Sequence, residues 1–394
     1  MIKIGVDIGG TFTDVVCLKD NKALYSTKVS STPKDLIEGI VKGVKRTQDI
    51  VKFEYNEIER FIHGTTIATN VTLEKKGATV GVLMTEGFRD VLEIGRIHRT
   101  EIYNLFIDEQ TPTFLAPRKL RFEVKERIDP NGVIIQKLDE IDLIEKLMQM
   151  KERFEVESIA VCYLFSYKNP THEVRTKEII KDKFPEIAVS LSCEVDPTFR
   201  EYERLCMTAF DAYVKPKVGR YLAELEGQLK KMGIKVGLQI MQSSGGITSP
   251  EVIREKPAVL FLSGPAGGVI GGSFAGRQSG IRDVITLDMG GTSCDVSLVK
   301  NGRPLLSREG MIFIYPMRTR MVDVNTIGAG GGSIAWIDAG GGLRVGPQSA
   351  GAEPGPACYR RGGKSPTVTD ASLVLGYLNP DYFAGGDIIL DKRK

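Results

Sequence analysis

No stretch of this 394-residue chain is apolar for long enough to cross a bilayer. The longest runs, Ala258 to Leu262 and Ile159 to Phe165, suit buried strands or helix segments and fall well short of the ~18 residues a span requires. Histidine is scarce. His63, His98 and His172 stand at no metal-ligand spacing, so no zinc site is expected. The six cysteines (17, 162, 193, 206, 294, 358) form no Cys-x-x-Cys pair and sit mostly in apolar surroundings, which favours buried thiols in a reducing, cytoplasmic compartment. An excess of one charge is missing too: 53 basic against 50 acidic residues leave +3, too balanced to argue for a nucleic acid or membrane surface as partner. Met1 leads directly into a strand-like run, with no room for a secretory leader. Hydrophobic residues at 42% and charged residues at 26% are ordinary for a globular protein with two or three domains.

What the chain does carry is a duplication. "IGVDIGGTFTDVVCL" (4–18) returns as "ITLDMGGTSCDVSLV" (285–299), sharing Asp-x-Gly-Gly-Thr-x-x-Asp. The shared residues are Asp7, Gly9, Gly10, Thr11 and Asp14, then Asp288, Gly290, Gly291, Thr292 and Asp295. Apolar β-formers flank both copies, so each reads as a strand-turn-strand hairpin. Glycines without Cβ let backbone N–H groups converge into a nest that holds phosphate oxygens, and the threonine adds a donor. A leading aspartate is repelled by phosphate but can hold Mg²⁺ through water. One such hairpin is as readily an ordinary tight turn. Two matching copies favour a pair of jaws on one polyphosphate. Other nucleotide motifs fit worse: "GGKS" (362–365) has Cys358 where a Walker A loop needs glycine, and Gly330-x-Gly332-x-x-Ala335 matches a dinucleotide fingerprint only loosely.

The pattern between the copies alternates strand and helix. Strands are expected at 2–7, 14–19, 23–30, 60–63, 79–83, 158–164 and 188–191, with helices at 67–76, 139–151 and 171–183. Thr32-Pro33-Lys34-Asp35 predicts a helix start, and "VKERIDPNGVIIQKL" a hairpin around Pro-Asn-Gly. Helical spacing follows at 199–213 and, past Pro216, at 216–232; a Gly/Ala-rich helix is expected at 264–280. A domain boundary is drawn between residues 195 and 196, giving regions 1–195 and 196–394.

Paired Asp-x-Gly-Gly-Thr hairpins resemble the actin-like ATPase (ribonuclease H-like) fold, an α/β architecture of duplicated domains around a cleft. More narrowly, the chain resembles the A subunits of the hydantoinase/5-oxoprolinase family, which includes the acetone carboxylase β subunit. The resemblance rests on "GVDIGGTFTD" (5–14), "HGTTIATN" (63–70), "EGFRDVLEIGR" (86–96), "REYERLCMTAFDAYVKP" (200–216), "GPAGGV" (264–269), "LDMGGTSCDV" (287–296), "IGAGGGSIAWID" (327–338) and "GPQSAGAEPGPACY" (346–359). It implies an ATP-binding subunit of a cyclic-amide hydrolase acting on a hydantoin, 5-oxoproline or related lactam, with a hydantoinase B-type partner. A ketone-carboxylase β-type subunit and a truncated, non-catalytic nucleotide-binding protein stand as alternatives.

By the same resemblance, Asp7 and Asp288 place Mg²⁺ through water. Gly9, Gly10, Thr11, Gly290, Gly291 and Thr292 cradle the phosphates of ATP. Asp14 and Asp295 either orient the nucleophile or tie their turns. His63, Thr65, Thr66 and Asn70 stand at a strand-to-helix junction, as substrate or phosphate contacts or, for His63, as a core histidine. Glu201 and Arg204 are spaced for a surface ion pair, with substrate contact as the alternative. The family's late adenosine-packing glycine turn has no counterpart here. "GAGGGS" (328–333) follows the second hairpin too closely to serve as one. The second domain is therefore expected to be incomplete, and a further chain supplying the rest is an expected partner.

Overall fold

The computed structural model describes residues 1–9, 12–30, 32, 35–96, 103, 105, 114–261, 263–351, 353–383, 386 and 388–393. Its first sheet grows from strand β1 (Ile2–Ile8), whose even-numbered residues are buried and whose odd-numbered ones are not, the period-two pattern of a strand. β2 (Phe12–Lys19) and β3 (Ala23–Ser30) continue it as an antiparallel meander. On the other side of β1, β4 (Ile58–Thr65) and β11 (Leu238–Met241) run parallel to it, and β12 (Ile247–Thr248) closes the edge, giving the order β12-β11-β4-β1-β2-β3. Helix α1 (Leu36–Val51) crosses this sheet, capped by Asp35, whose carboxylate accepts the Ile37 and Glu38 N–H groups at 3.1 Å. Pro33 and Lys34 of the expected helix start lie outside the described residues. The short α2 (Ile67–Leu73) follows β4.

A second, parallel sheet has the order β10-β9-β5-β6, built from β5 (Val80–Thr85), β6 (Arg121–Val124), β9 (Ser158–Cys162) and β10 (Ala188–Leu191). β5 and β9 are buried along their whole length, as strands covered on both faces must be. Helices α4 (Glu140–Phe154) and α5 (Thr171–Lys183) flank it, and β7 (Arg127–Ile128) with β8 (Ile134–Gln136) forms the expected hairpin. One-turn helices α3 (Val91–Ile94) and α6 (Ser192–Val195) complete this part.

The sequence suggested a break at Pro216. The structure has one helix instead, α7 (Glu201–Lys231), with Pro216 inside it. Every side chain from Glu203 to Val214 is buried, so this stretch is packed on all sides. That packing outweighs the roughly 3 kcal/mol an internal proline costs. β11 and β12 lie beyond residue 196 yet complete the first sheet, which therefore crosses the division drawn from the sequence.

After α8 (Pro250–Glu255) comes α9 (Ser263–Gln278), the expected Gly/Ala-rich helix, lying against a third sheet. That sheet pairs β13 (Val284–Met289) with β14 (Cys294–Lys300), and the strand Val324–Ile327 adds to the far side of β14.

The close approach of α7 to the start of β5 is set by Gly77. A Cβ there would stand 2.2 Å from Cε1 of the buried Tyr213, while the Ala78 N–H donates to the Tyr213 carbonyl at 2.9 Å. Gly77→Ala is expected to lower stability by about 1–3 kcal/mol in urea denaturation through overpacking. Combining it with Tyr213→Leu should cost less than the two single changes added together.

Candidate functional site

The two glycine hairpins share their cross-strand register and closing hydrogen bond among the described residues. In the first, Asp7 pairs across the ladder with Asp14; in the second, Asp288 pairs with Asp295. The Gly9 N–H donates to the Phe12 carbonyl at 2.9 Å, and the Gly290 N–H donates to the Ser293 carbonyl, also at 2.9 Å. Gly10 and Thr11 lie outside the described residues. In the second turn Gly290, Gly291 and Thr292 are exposed, and the N–H groups of Gly291 and Thr292 make no hydrogen bond among the described residues. Free, convergent N–H groups at a glycine turn are the donor set a phosphate needs.

That turn is braced from behind. The Gly331 N–H donates to the Gly290 carbonyl at 2.9 Å, the Gly332 N–H to the Gly291 carbonyl at 2.6 Å, and Thr369 holds Gly331 in place. A Cβ on Gly330 would lie 2.6 Å from the backbone of Gly291, Thr292 and Ser293, so only glycine allows this approach. The "GAGGG" segment is thus a backbone bracket for the second hairpin.

The leading aspartates lie within electrostatic range of one another. Asp7 is reached by solvent yet walled by protein, and its carboxyl pKa is raised by desolvation first, then by the charges of Asp14 and Asp288. Each of the two meets a glycine from a neighbouring element. A Cβ on Gly64 of β4 would stand 2.9 Å from Asp7 Oδ1, and one on Gly268 of α9 would stand 3.0 Å from Asp288 Oδ2. The second aspartates have different partners. Asp14 pairs with Lys28 at 2.6 Å, while Asp295 accepts the Thr326 hydroxyl at 2.6 Å. Lys28 also lies 5.1 Å from the Phe12 ring centroid. Around Asp7 the charges of Asp14 and Asp288 outweigh that of Lys28, an acidic setting that suits a cation. No group of three or more His, Cys, Asp or Glu side chains is placed to ligate a metal directly among the described residues. The arrangement fits a hydrated ion such as Mg²⁺, which sheds its water reluctantly.

The junction after β4 divides into an inner and an outer pair. His63 is fully buried; its Nε2 lies 2.7 Å from the Tyr221 hydroxyl and its Nδ1 3.4 Å from the Val6 carbonyl. Burial pushes its pKa down to about 4, which keeps the ring neutral. Thr65 is buried beside the same tyrosine. Thr66 and Asn70 lie nearer the surface, the Asn70 amide donating to Thr66 Oγ1 at 3.1 Å. The register Asp7–Gly64 and Ile8–Thr65 sets this junction beside the first hairpin.

Arg204 corrects the expected surface pair with Glu201. It is buried, donating to the Tyr163 carbonyl at 3.2 Å and to Ser166 and Ser192, with Glu173 at 3.7 Å. The helix begins at Glu201 and turns Arg204 inward, so spacing alone misplaces it. Sequence reasoning also missed Lys28 and Thr326. The Asp14–Lys28 cross-strand register in an alternating hairpin was the available signal for the first.

Comparison with known proteins gives a consistent picture. The model of the Hydantoinase/oxoprolinase N-terminal region matches residues 3–184, and that of Hydantoinase/oxoprolinase matches 204–394. Caprolactamase subunit alpha of Pseudomonas jessenii is 37% identical over 99% of this chain, which spans 57% of its length; the crystal structure of that ATP-dependent caprolactamase superposes with a TM-score of 0.87. A nucleotide-free acetone carboxylase structure superposes with a TM-score of 0.79 at 26% identity, covering all of this chain and 57% of that one. The 5-oxoprolinase of Saccharomyces cerevisiae is 33% identical over 97% of this chain, here spanning 32% of the relative.

The neutral His63 generates a test. In the unfolded chain its imidazole titrates near 6.5, in the folded one near 4, so between these values the unfolded state binds the proton first. The stability this burial provides is full above pH 6.5 and is lost as pH falls toward 4, up to about 3 kcal/mol. Urea titrations across that window should show a flatter pH dependence for His63→Gln than for the unaltered chain.

Proposed function

Because this chain belongs to the hydantoinase/oxoprolinase family, we propose that it is the ATP-binding subunit of an ATP-dependent cyclic-amide hydrolase. One observation carries the reading: two hairpins of equal register bring Asp7 and Asp288 within electrostatic range of each other. A triphosphate between them would meet the free N–H groups of Gly291 and Thr292 on one side and the first hairpin on the other. Asp7 and Asp288 would hold Mg²⁺ through its water shell. The ion would neutralise charge on the phosphates during transfer.

In the proposed reaction the amide oxygen of the ring attacks the γ-phosphorus, the bond to the β-γ bridging oxygen breaks, and ADP leaves. The O-phosphorylated imidate that results is a far better electrophile than the resonance-stabilised amide. Water adds to its carbon, the ring C–N bond breaks with the departing nitrogen taking up a proton, and a second water hydrolyses the acyl phosphate that remains, releasing phosphate and the open-chain amino acid. Asp14, neutralised by Lys28, and Asp295, fixed by Thr326, stand behind the leading acids and keep their turns in register. Thr66 and Asn70 border the cleft, while His63 and Thr65 shape it from inside.

The subunit reading also draws on β13. Its counterpart β1 has β4 on its outer edge, whereas the outer edge of β13 pairs with no strand among the described residues. Its Ile285 and Leu287 are 69% and 66% exposed. Such an edge suits a second polypeptide that adds a parallel strand, alongside a B-type subunit. Among the described residues no helix is long and apolar enough to cross a membrane.

In the assembled enzyme, Asp7→Asn or Asp288→Asn should lower Mg·ATP turnover by at least about 100-fold while the chain stays folded. Full rates in both variants would sink the assignment. Supplying 5-oxoproline or a hydantoin against a ketone plus bicarbonate separates hydrolase from carboxylase chemistry. Failure of the assembly to bind or hydrolyse ATP at all would favour a non-catalytic protein.

A further inference from the structure

A cavity of about 380 Å³ opens where residues 195–197, 242–244, 256–259 and 318–320 meet. Its place in the fold is informative. β1, β4 and β11 run parallel, so their carboxyl ends share one sheet edge, and Gln242 follows directly on the last residue of β11. Two strand spacings separate β11 from the strand bearing Asp7, roughly 10 Å. In open α/β sheets this edge is where ligands collect.

The walls are fastened. Ser243 donates its N–H to the Val259 carbonyl at 3.0 Å and its hydroxyl to the Val259 and Phe261 carbonyls, and its own carbonyl accepts the Val322 N–H at 2.8 Å. One buried serine thus ties the 242–244 turn to the segment that follows Lys256 and to the strand that follows Arg320. Arg318 is fixed as well, to Asp196 at 2.7 Å and to the Phe199 carbonyl at 2.8 Å, so this pair contributes no net charge.

Two cations remain. Lys256 is half-buried and donates to the Glu194 carbonyl at 3.1 Å, but no carboxylate lies within ion-pair distance of it among the described residues. The nearby acids are engaged elsewhere: Glu194 with Lys177 at 2.8 Å, Asp211 with Lys215 at 3.2 Å, and Asp196 with Arg318. Burial lowers the Lys256 pKa even against the pull of these three acids, as expected for an ammonium short of an anion. Arg320 is exposed at the same cavity and has no ion-pair or hydrogen-bond partner among the described residues. The Gln242 side chain completes the lining, its Oε1 accepting from Ser244 Oγ at 3.4 Å and its amide N–H groups meeting no partner among the described residues.

We propose that this cavity is a carboxylate subsite, with Lys256 and Arg320 holding the acid group of a small ring substrate and Gln242 donating to it. The inference builds on the cyclic-amide reading and sharpens it: the substrate class is an acidic lactam or imide, not a neutral one. A preassembled pair of uncompensated cations favours a carboxylate over an uncharged group, because the neutral analogue leaves both without a partner.

The test measures binding to the full chain by titration calorimetry without nucleotide. The probes are 5-oxoproline and 2-pyrrolidinone, the same five-membered lactam with and without its carboxylate. The acid should bind at least tenfold tighter, and the preference should weaken as salt rises. Lys256→Gln/Arg320→Gln should erase it. Arg320→Glu, at an exposed position, should reverse it while circular dichroism reports a native fold. Asp7→Asn, which disables the proposed ATP chemistry, should keep the preference, so failure of the hydrolase reading and failure of this subsite read out separately. Equal affinity for the two rings, no measurable binding of the acid, or a preference that survives the double variant overturns the proposal.

Discussion

Two like charges held within electrostatic range of each other set the terms for the rest of this molecule. Asp7 and Asp288 repel, and both the desolvating walls and Asp14 oppose the ionised form of Asp7. A chain left to itself would move such groups apart. Here each is fixed at the end of a strand whose ladder runs up to the turn, and each turn is closed by one backbone hydrogen bond of the same length. The fold thus holds Asp7 in a setting that disfavours its charge, which a nearby cation would offset.

The supports behind the two hairpins differ, and the difference is instructive. β1 sits in the interior of a six-stranded sheet, with α1 packed on it and β4 against its edge. The second hairpin has no such depth. It relies on α9 on one side and the 328–332 bracket on the other, and much of β13 meets solvent. Equal local sequence therefore yields the same register and closing bond, while stability is drawn from unlike surroundings.

Much of this was legible from residue order alone. The duplicated Asp-x-Gly-Gly-Thr text located both turns because a glycine turn between β-rich runs is a local property. Strands such as Ala188–Leu191 and helices such as Thr171–Lys183 carried their own signals for the same reason. The misses involve long-range packing. Pro216 argues locally for a break, but α7 is enclosed by elements far away in sequence. Arg204 looks like half of a surface pair until β9, α5 and α6 close around it. His63 stood between two readings because its partner Tyr221 comes 158 residues later. The role of "GAGGG" was hidden similarly, since nothing in a glycine run names the turn it will brace.

A final step joins the two charged regions of the carboxyl sheet edge. The hairpin end is acidic and the Lys256–Arg320 end is basic; Asp7 stands on β1, and the basic cavity opens where β11 of the same parallel set ends. A substrate carboxylate would be drawn to the basic end and repelled from the acidic hairpin end, so charge favours one placement of it over the other. Salt screens charges about a Debye length apart, near 8–10 Å, so this sorting acts mainly within the cleft, where water is partly excluded. A ring bound by its acid group at the basic end would leave its amide or imide group free to turn toward the phosphates. Orientation would then follow from electrostatics before any specific contact to the reacting atoms is made.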